Sequence, residues 1–327
     1  MSPDAEPRVV AVVVAYNRRE LLGECLDALA AQTRPVDVVV VVDNASTDGT
    51  AGMLRARGAG SRGSLDVVTL ARNTGGAGGF AAGISRTLDR HAPDLVWLMD
   101  DDTIPTPSAL AQLLAVFAAE PQLAIVGSRA VWTDGTDHPM NTPKPRIGAT
   151  RRSRSRAAAH GAVPVRSSSF VSMLIDATAI RSEGLPIADY FIWNDDFEYS
   201  TRLLRRREGW YVPSSVVVHK TRSLGSSDAD PGERFYFEVR NKLWLFRFAR
   251  TLAWWEAPLY WAATVRRWAR TRRRTSDAAV LDSAARRGWR DGWRSRPRPT
   301  AEVLREAGFA VVPVDGRGVP DPRPPLR

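Results

Sequence analysis

Three unbroken apolar runs constrain this chain more than any other feature: "RVVAVVVAY" at 8–16, "VDVVVVVDNAS" at 36–46 and "LVWLMD" at 95–100. β-Branched stretches without polar alternation belong to strands covered on both faces, as in a parallel sheet with helices above and below. Helical spacing fills the intervals. In "RRELLGECLDALAAQ" (18–32), Leu21, Leu22, Cys25, Leu26 and Leu29 fall on one face. "STDGT" at 46–50 offers capping residues for a second helix, "SLDVVTLARN" (64–73) reads as a third strand, and "GFAAGISRTLDRH" (79–91) as its helix. This alternation predicts a doubly wound α/β sheet, mostly parallel and Rossmann-like, with ligands at the carboxyl ends of the strands.

Polar residues collect at those ends. Asn17, Asp43, Asn73 and the triplet Asp100, Asp101 and Asp102 each follow a predicted strand and are expected to converge on one crevice. Three adjacent carboxylates repel unless something positive sits on them. Two of them at i and i+2 can share a hard cation, and Mg²⁺ or Mn²⁺ commonly bridges such carboxylates to phosphates. The plainer alternative, capping of the helix that begins near Ser108, accounts for one Asp of the three.

Farther along, "AIVGSRAVW" (124–132) reads as a strand, and the polar, Arg-rich stretch 133–162 as a mobile loop, a candidate lid. "WNDDFEYSTRLLRR" places Asp195 and Asp196 at the start of a helix, where one acid can cap and its neighbour act as a general base. His219 closes "VVVH" and is open to two readings, metal ligand or ordinary strand-end histidine. "RNTGGAGGF" (72–80) mimics a G-x-G-x-x-A dinucleotide fingerprint in Gly76, Gly78 and Ala81, but it follows the third strand; a tight turn needing positive φ is the alternative.

Beyond about residue 231 arginine and tryptophan interleave. Trp254, Trp255, Tyr260, Trp261 and Trp268 stand among Arg266, Arg267 and Arg270, in a chain of net charge +10. Such a segment suits a helical unit packed on the core and docked on an anionic membrane face, or single-stranded nucleic acid; the first is favoured and no nucleic-acid partner is expected. The expected division is therefore a catalytic domain at 1–230, a helical region at 231–293 and a Pro/Arg-rich, partly ordered tail at 294–327. The lone Cys25 excludes an internal disulfide and a thiolate zinc cluster. "MSPDAEPRVV" has no basic segment followed by an apolar one, and no run reaches about 18 apolar residues, so the expectation is a cytoplasmic protein, peripheral on the inner face of the plasma membrane.

Taken in order, "VVAVVVAYNR", "VVDNASTDGT", "RNTGGAGGF", "WLMDDDTIP", "WNDDFEYSTRL", His219 and "YFEVRN" resemble family 2 glycosyltransferases of the GT-A fold over residues 8–250, and look closest to bacterial galactofuranosyltransferases and related rhamnosyltransferases. The resemblance implies Tyr16, Arg18, Asp43, Asn73 and Asp101 around the nucleotide donor, and Asp100, Asp102 and His219 around Mg²⁺ or Mn²⁺. It implies Asp196 as catalytic base beside Asp195, with Trp193 and Gly76 shaping the acceptor site. Asn194, between Trp193 and the acid pair, departs from the family pattern. The donor implied is UDP-galactofuranose, with dTDP-rhamnose as the alternative, and the acceptor a polysaccharide or lipid-linked glycan. Rival classes are a nucleotidyltransferase of similar architecture, a nicotinamide-dependent oxidoreductase and a nucleic-acid-binding protein; "AYNRREL" lacks the glycine-rich loop that the first would carry after its first strand.

Overall fold

The computed structural model describes residues 6–60, 64–221, 230–249 and 251–312. Strands β1 (Val9–Ala15), β2 (Val38–Asp43), β3 (Leu65–Thr69) and β4 (Leu95–Asp100) form a wholly parallel half-sheet in the order β3-β2-β1-β4. Helices α1 (Arg19–Ala30), α2 (Thr50–Gly60) and α3 (Gly75–Arg90) connect them. The unbroken valines are explained by burial on both faces. Val10, Val12 and Val14 enter the core beneath α3, whereas Val9, Ala11, Val13 and Ala15 enter the opposite core with Leu22, Cys25 and Leu29 of α1.

The second half of the sheet is mixed. After the short β5 (Thr103–Pro105) and α4 (Ala109–Ala119) come β6 (Leu123–Val131), β7 (Lys144–Pro145), α5 (Arg151–Ala159), β8 (Val163–Ser167) and β9 (Met173–Asp176). These are followed by α6 (Ala177–Glu183), α7 (Asp195–Leu203) and the long β10 (Glu208–His219). Strand β9 lies antiparallel between β4 and β6, β10 runs parallel to β6, and β5 folds back on the end of β10. That last pairing sets Thr103 opposite His219, which carries the end of β10 to the aspartate triplet.

One expectation is corrected here, and the partly ordered tail gains a defined segment. The stretch 133–162 is not simply a loop: α5 forms within its arginine run, with the Thr150 hydroxyl capping the Ser153 N–H at 3.1 Å. Ala157 is buried and Arg156 pairs with Glu120. The tail is likewise ordered past residue 294. Helix α11 (Thr300–Arg305) returns to the sheet and buries Val303, Leu304 and Ala307 in the core beneath α3, while Arg72 pairs with Glu306; residues 313–327 lie outside the described residues.

Between them lie α8 (Phe235–Trp244), a wide helical turn Leu245–Ala249, α9 (Glu256–Arg274) and α10 (Ala278–Arg294). Gly288 and Gly292 let α10 lie directly on α8, since a Cβ would come within 2.5 Å of the Tyr236 carbonyl at the first and 2.8 Å of Leu243 at the second. This helical region is bolted to the sheet. The buried Arg166 of β8 grips Glu256 through Nε at 2.8 Å and Nη2 at 3.0 Å, and donates to the carbonyls of Thr201 at 2.7 Å and Thr251 at 2.6 Å. No helix among the described residues is long and apolar enough to cross a membrane.

Candidate active site

The crevice lies where the strands end. Asp100 closes β4, and none of the triplet caps α4, whose N-cap is Ser108 on the far side of β5. Asp101 is buried and tied back to the first strand: it accepts from the Tyr16 amide at 3.0 Å and from Arg18 at 3.2 Å. Arg18 also pairs with Asp102. Burial, opposed by Arg18, pushes the Asp101 carboxyl up to about 7.

Asp100, Asp102 and His219 form a second grouping. One ligand-type atom from each lies within 4.8 Å of the others. Burial, followed by the charge of Asp102, pushes Asp100 up to about 6, against the pull of His219 and Arg18. At Asp102 burial also pushes upward, but His219 and Arg18 prevail and its carboxyl lies below the usual range. Burial pulls the His219 imidazole down, and the proximity of Asp102 and Asp100 more than reverses that.

The imidazole is fixed from behind. Its Nδ1 meets the Asn141 Oδ1 at 2.8 Å, while Asn141 Nδ2 donates to the Ser169 hydroxyl at 3.0 Å, which assigns the amide's orientation. With Nδ1 carrying the proton, the Nε2 lone pair faces Asp102 Oδ1 at 3.1 Å. The contact is an ion-pair approach, and Asp102 Oδ1 is buried with no hydrogen-bond partner. A proton on Nε2 or a bound cation would satisfy that buried acceptor. The oxygen and nitrogen donors present fit Mg²⁺ or Mn²⁺.

A second acid pair lies within electrostatic reach of Asp100. Asp195 and Asp196 occupy the first turn of α7, where the helix dipole favours negative charge. Asp195 is buried and held well above the usual carboxylate range by desolvation and by Asp196; Asp100 adds to the rise. Asp196 is raised by burial despite the amide of Phe197 (2.6 Å), the Ser169 hydroxyl and the ammonium of Lys242. The cation-type cluster and the acid pair thus sense each other electrostatically.

The loop before α7 is strained. Phe191, Trp193 and Asn194 all have φ near 65°, a region that non-glycine residues avoid at a cost of about 1–2 kcal/mol each. Asn241 of α8, fully buried, holds them there: its Nδ2 lies 2.9, 2.9 and 2.8 Å from the carbonyls of Tyr190, Ile192 and Trp193. Arg240 adds donors to Asp189 O at 2.7 Å and Tyr190 O at 3.2 Å. Asn194 itself donates to Glu238 at 2.8 Å. "YFEVRN" therefore reaches the site through the backbone it supports, a role that a linear reading of the motif does not reveal.

The glycine-rich turn serves packing and close approach. Gly75, at φ +70°, has no room for a Cβ, which would sit 2.0 Å from the Phe191 carbonyl. At Gly79 a Cβ would stand 2.4 Å from Val14, so this glycine seats α3 on β1. The positive-φ reading of this turn is the one the structure bears out. Gly76 faces the acid pair, with its Cβ position 3.8 Å from Asp195 Oδ2. Asn73 spends its side-chain oxygen on the Gly75 amide at 2.8 Å, and Asp43, buried, accepts from the Ser46 amide at 2.9 Å. Tyr16 is half exposed beside them and Trp193 partly so. Asn44, unsuspected from the sequence, links the turns by donating to Gly75 O at 2.9 Å and accepting from the Thr74 amide at 2.8 Å.

A family described as "Glycosyltransferase like family 2" matches residues 7–271, most of the chain. The chain belongs to that family. Galactofuranosyltransferase GlfT1 of Mycobacterium tuberculosis H37Rv is 34% identical over 252 residues, covering 72% of this chain and 80% of the relative. Its counterpart from Mycolicibacterium smegmatis is 32% identical over 205 residues, covering 60% of this chain, which spans 65% of that relative's length. An N-acetylglucosaminyl-diphospho-decaprenol L-rhamnosyltransferase of M. tuberculosis is 26% identical over 282 residues, covering 76% of this chain and 87% of the relative. Among solved structures, the Pyrobaculum calidifontis mannosyltransferase PcManGT in complex with GDP-Man and Mn²⁺ superposes with a TM-score of 0.54 at 20% identity, over 94% of this chain and 81% of its own. Staphylococcus aureus TarS 1-349 with UDP-GlcNAc gives 0.55 at 18%, over 80% and 72%. The fold is thus that of the GT-A glycosyltransferases, as the motif order implied.

Proposed function

We propose that this family 2 glycosyltransferase is an inverting, cation-dependent enzyme that moves galactofuranose from a UDP donor to a glycan or lipid-linked glycan acceptor in cell-envelope polysaccharide synthesis. The observation that carries the reading is the facing of two acid sets across one crevice: Asp100, Asp102 and His219 with an unsatisfied buried oxygen, and Asp195 with Asp196 at a helix start. Asp100, Asp102 and His219 would hold Mg²⁺ or Mn²⁺, which supplies charge neutralisation for a leaving diphosphate. Tyr16, Arg18, Asp43, Asn73 and Asp101 would line the nucleotide side.

The proton chemistry belongs to Asp196. Burial raises its carboxyl, which makes it a stronger base than an exposed aspartate. It takes the proton of an acceptor hydroxyl as that oxygen bonds to the anomeric carbon. The bond from that carbon to the diphosphate oxygen breaks on the opposite face, so one displacement inverts the centre. Asp195, Trp193 and Gly76 shape the acceptor side.

Galactofuranose is favoured over rhamnose because the galactofuranosyltransferase relatives are 32–34% identical and the rhamnosyltransferase 26%. Competition between UDP-galactofuranose and dTDP-rhamnose for release of nucleoside diphosphate tests this. Faster release from the UDP sugar supports the reading, and faster release from the dTDP sugar replaces it. A peripheral position on the inner membrane face is supported by Trp254 at 88% exposure and by the arginines Arg266, Arg270, Arg273 and Arg274 of α9. Flotation with anionic vesicles, unchanged in a Trp254→Ala, Arg273→Glu, Arg274→Glu variant, would count against that placement.

A further inference from the structure

The first turn of α7 departs from the usual helix start. Asn194 opens it, its carbonyl accepting the Glu198 amide at 2.9 Å, but at φ 65° and ψ 0° the residue is left-handed and its side chain makes no capping bond. A capping asparagine ordinarily sits in the extended region and accepts from the amide two or three residues on. Here the amide three residues on, that of Phe197, is taken by Asp196 Oδ1 at 2.6 Å. The Asn194 side chain is turned away to Glu238 of α8, donating through Nδ2 to Oε2 at 2.8 Å. Glu238 is buried and held in turn from α9: Trp268 Nε1 donates to its Oε1 at 3.0 Å, and Arg267 pairs with the same oxygen. Two ring contacts clamp the same turn. The Lys242 ammonium lies 4.3 Å from the Phe197 ring centroid, and Tyr260 of α9 meets that ring edge-on at 5.3 Å.

We propose that Glu238 is a positioning residue for the base Asp196: by holding the Asn194 side chain off the start of α7, it leaves the Phe197 amide to orient the Asp196 carboxylate. The inference rests on the role given to Asp196 above. A helix start has N–H groups without helical partners, and nearby side-chain oxygens compete for them. Released from Glu238, Asn194 relaxes out of the left-handed region and presents Oδ1 to the Phe197 amide, as a capping asparagine does. Asp196 then loses the N–H that fixes one of its oxygens, and its carboxylate is free to rotate. A carboxylate suits the task at position 238 because it accepts on both oxygens, from Asn194 on one side and from α9 on the other. The helical region thereby takes part in placing the base.

The test uses the full chain and reads kcat and KM for UDP release from UDP-galactofuranose to water with Mn²⁺ present. Glu238→Ala is expected to lower kcat roughly 100-fold, the effect of a misplacement of about 1 Å, while KM for the donor keeps its wild-type value. Glycine adopts the left-handed conformation without a holding partner and has no side chain to cap with. Adding Asn194→Gly to Glu238→Ala is therefore expected to recover kcat, although Arg267 and Trp268 still lack their acceptor, so a merely structural role for Glu238 would show no such rescue. Asn194→Ser, an uncharged residue that caps well, is expected to lower kcat by a similar factor with the bonds of Glu238 to α9 intact. It carries the test if Glu238→Ala does not fold. Unchanged kcat in Asn194→Ser, or no recovery in a folded double variant, overturns the inference. Asp196→Asn separates the two levels. If it abolishes turnover while the Glu238 and Asn194 variants match wild type, the positioning role alone fails; if it turns over as wild type, the reading of Asp196 fails and the inference falls with it.

Discussion

Replacing Asn241 by leucine should damage both stability and turnover, for one geometric reason. The amide's two hydrogens are shared among three carbonyls, those of Tyr190, Ile192 and Trp193, at 2.9, 2.9 and 2.8 Å, and its oxygen accepts from Arg240 Nε at 3.0 Å. Leucine has similar volume but no polar atoms. A net hydrogen bond contributes about 1 kcal/mol, and an orphaned buried carbonyl costs about 1–3 kcal/mol. Partial relaxation of Phe191, Trp193 and Asn194 from φ near 65° gives some of this back. A loss of about 3 kcal/mol in urea unfolding is expected. The relaxed loop carries Trp193 and the start of α7, and a shift of about 1 Å there costs roughly 100-fold in rate. Binding of UDP with Mn²⁺, on the opposite wall of the crevice, should persist. A destabilisation below about 0.5 kcal/mol, the range of ordinary surface changes, with wild-type turnover would refute the view that this amide holds the strained loop.

Gly79→Ala places a methyl 2.4 Å from Val14 Cγ1 and should destabilise by about 1–3 kcal/mol. Gly52→Ala in α2, with nothing within 4 Å, should be neutral or gain up to about 1 kcal/mol in the same denaturation series. Lys242 is buried near Glu238, Arg267, Asp196 and Lys144, and burial lowers its ammonium to about 8 from an ordinary 10.5. Between those values the unfolded chain binds more protons than the folded one, so this group makes stability rise with pH across that window. Melting temperatures of Lys242→Met minus wild type should therefore be most positive at pH 7 and shrink by pH 10; a difference constant across that range would contradict the assignment.

Much of the site was legible because strand ends are legible. Valine runs mark where buried strands stop, so Asp43, Asp100 and their neighbours could be placed on one edge before any contact was known. His219 joins them because β5 folds back on β10, a three-residue strand too short to announce itself in sequence. Asn44, Asn141, Ser169 and Asn241 were missed because single amides and hydroxyls carry no periodicity and act only through partners distant in the chain. Asn141 meets His219 across 78 residues and Ser169 across 28. Alternation could not foretell the antiparallel β9 either, since strand direction depends on which connections cross the sheet. The arginine run at 151–156 reads as loop by polarity, yet Ala157 and a Thr150 cap suffice to make a helix when Glu120 is at hand to pair with Arg156.

The central claim is that Asp100, Asp102 and His219 hold a divalent cation on which donor binding depends. Calorimetric titration of the chain with UDP, with and without Mn²⁺, beside an Asp102→Asn variant of unchanged melting temperature, tests it most directly. The account predicts binding that requires Mn²⁺ and disappears in the variant. UDP bound equally well without the ion, or by the variant as by the wild type, would contradict it.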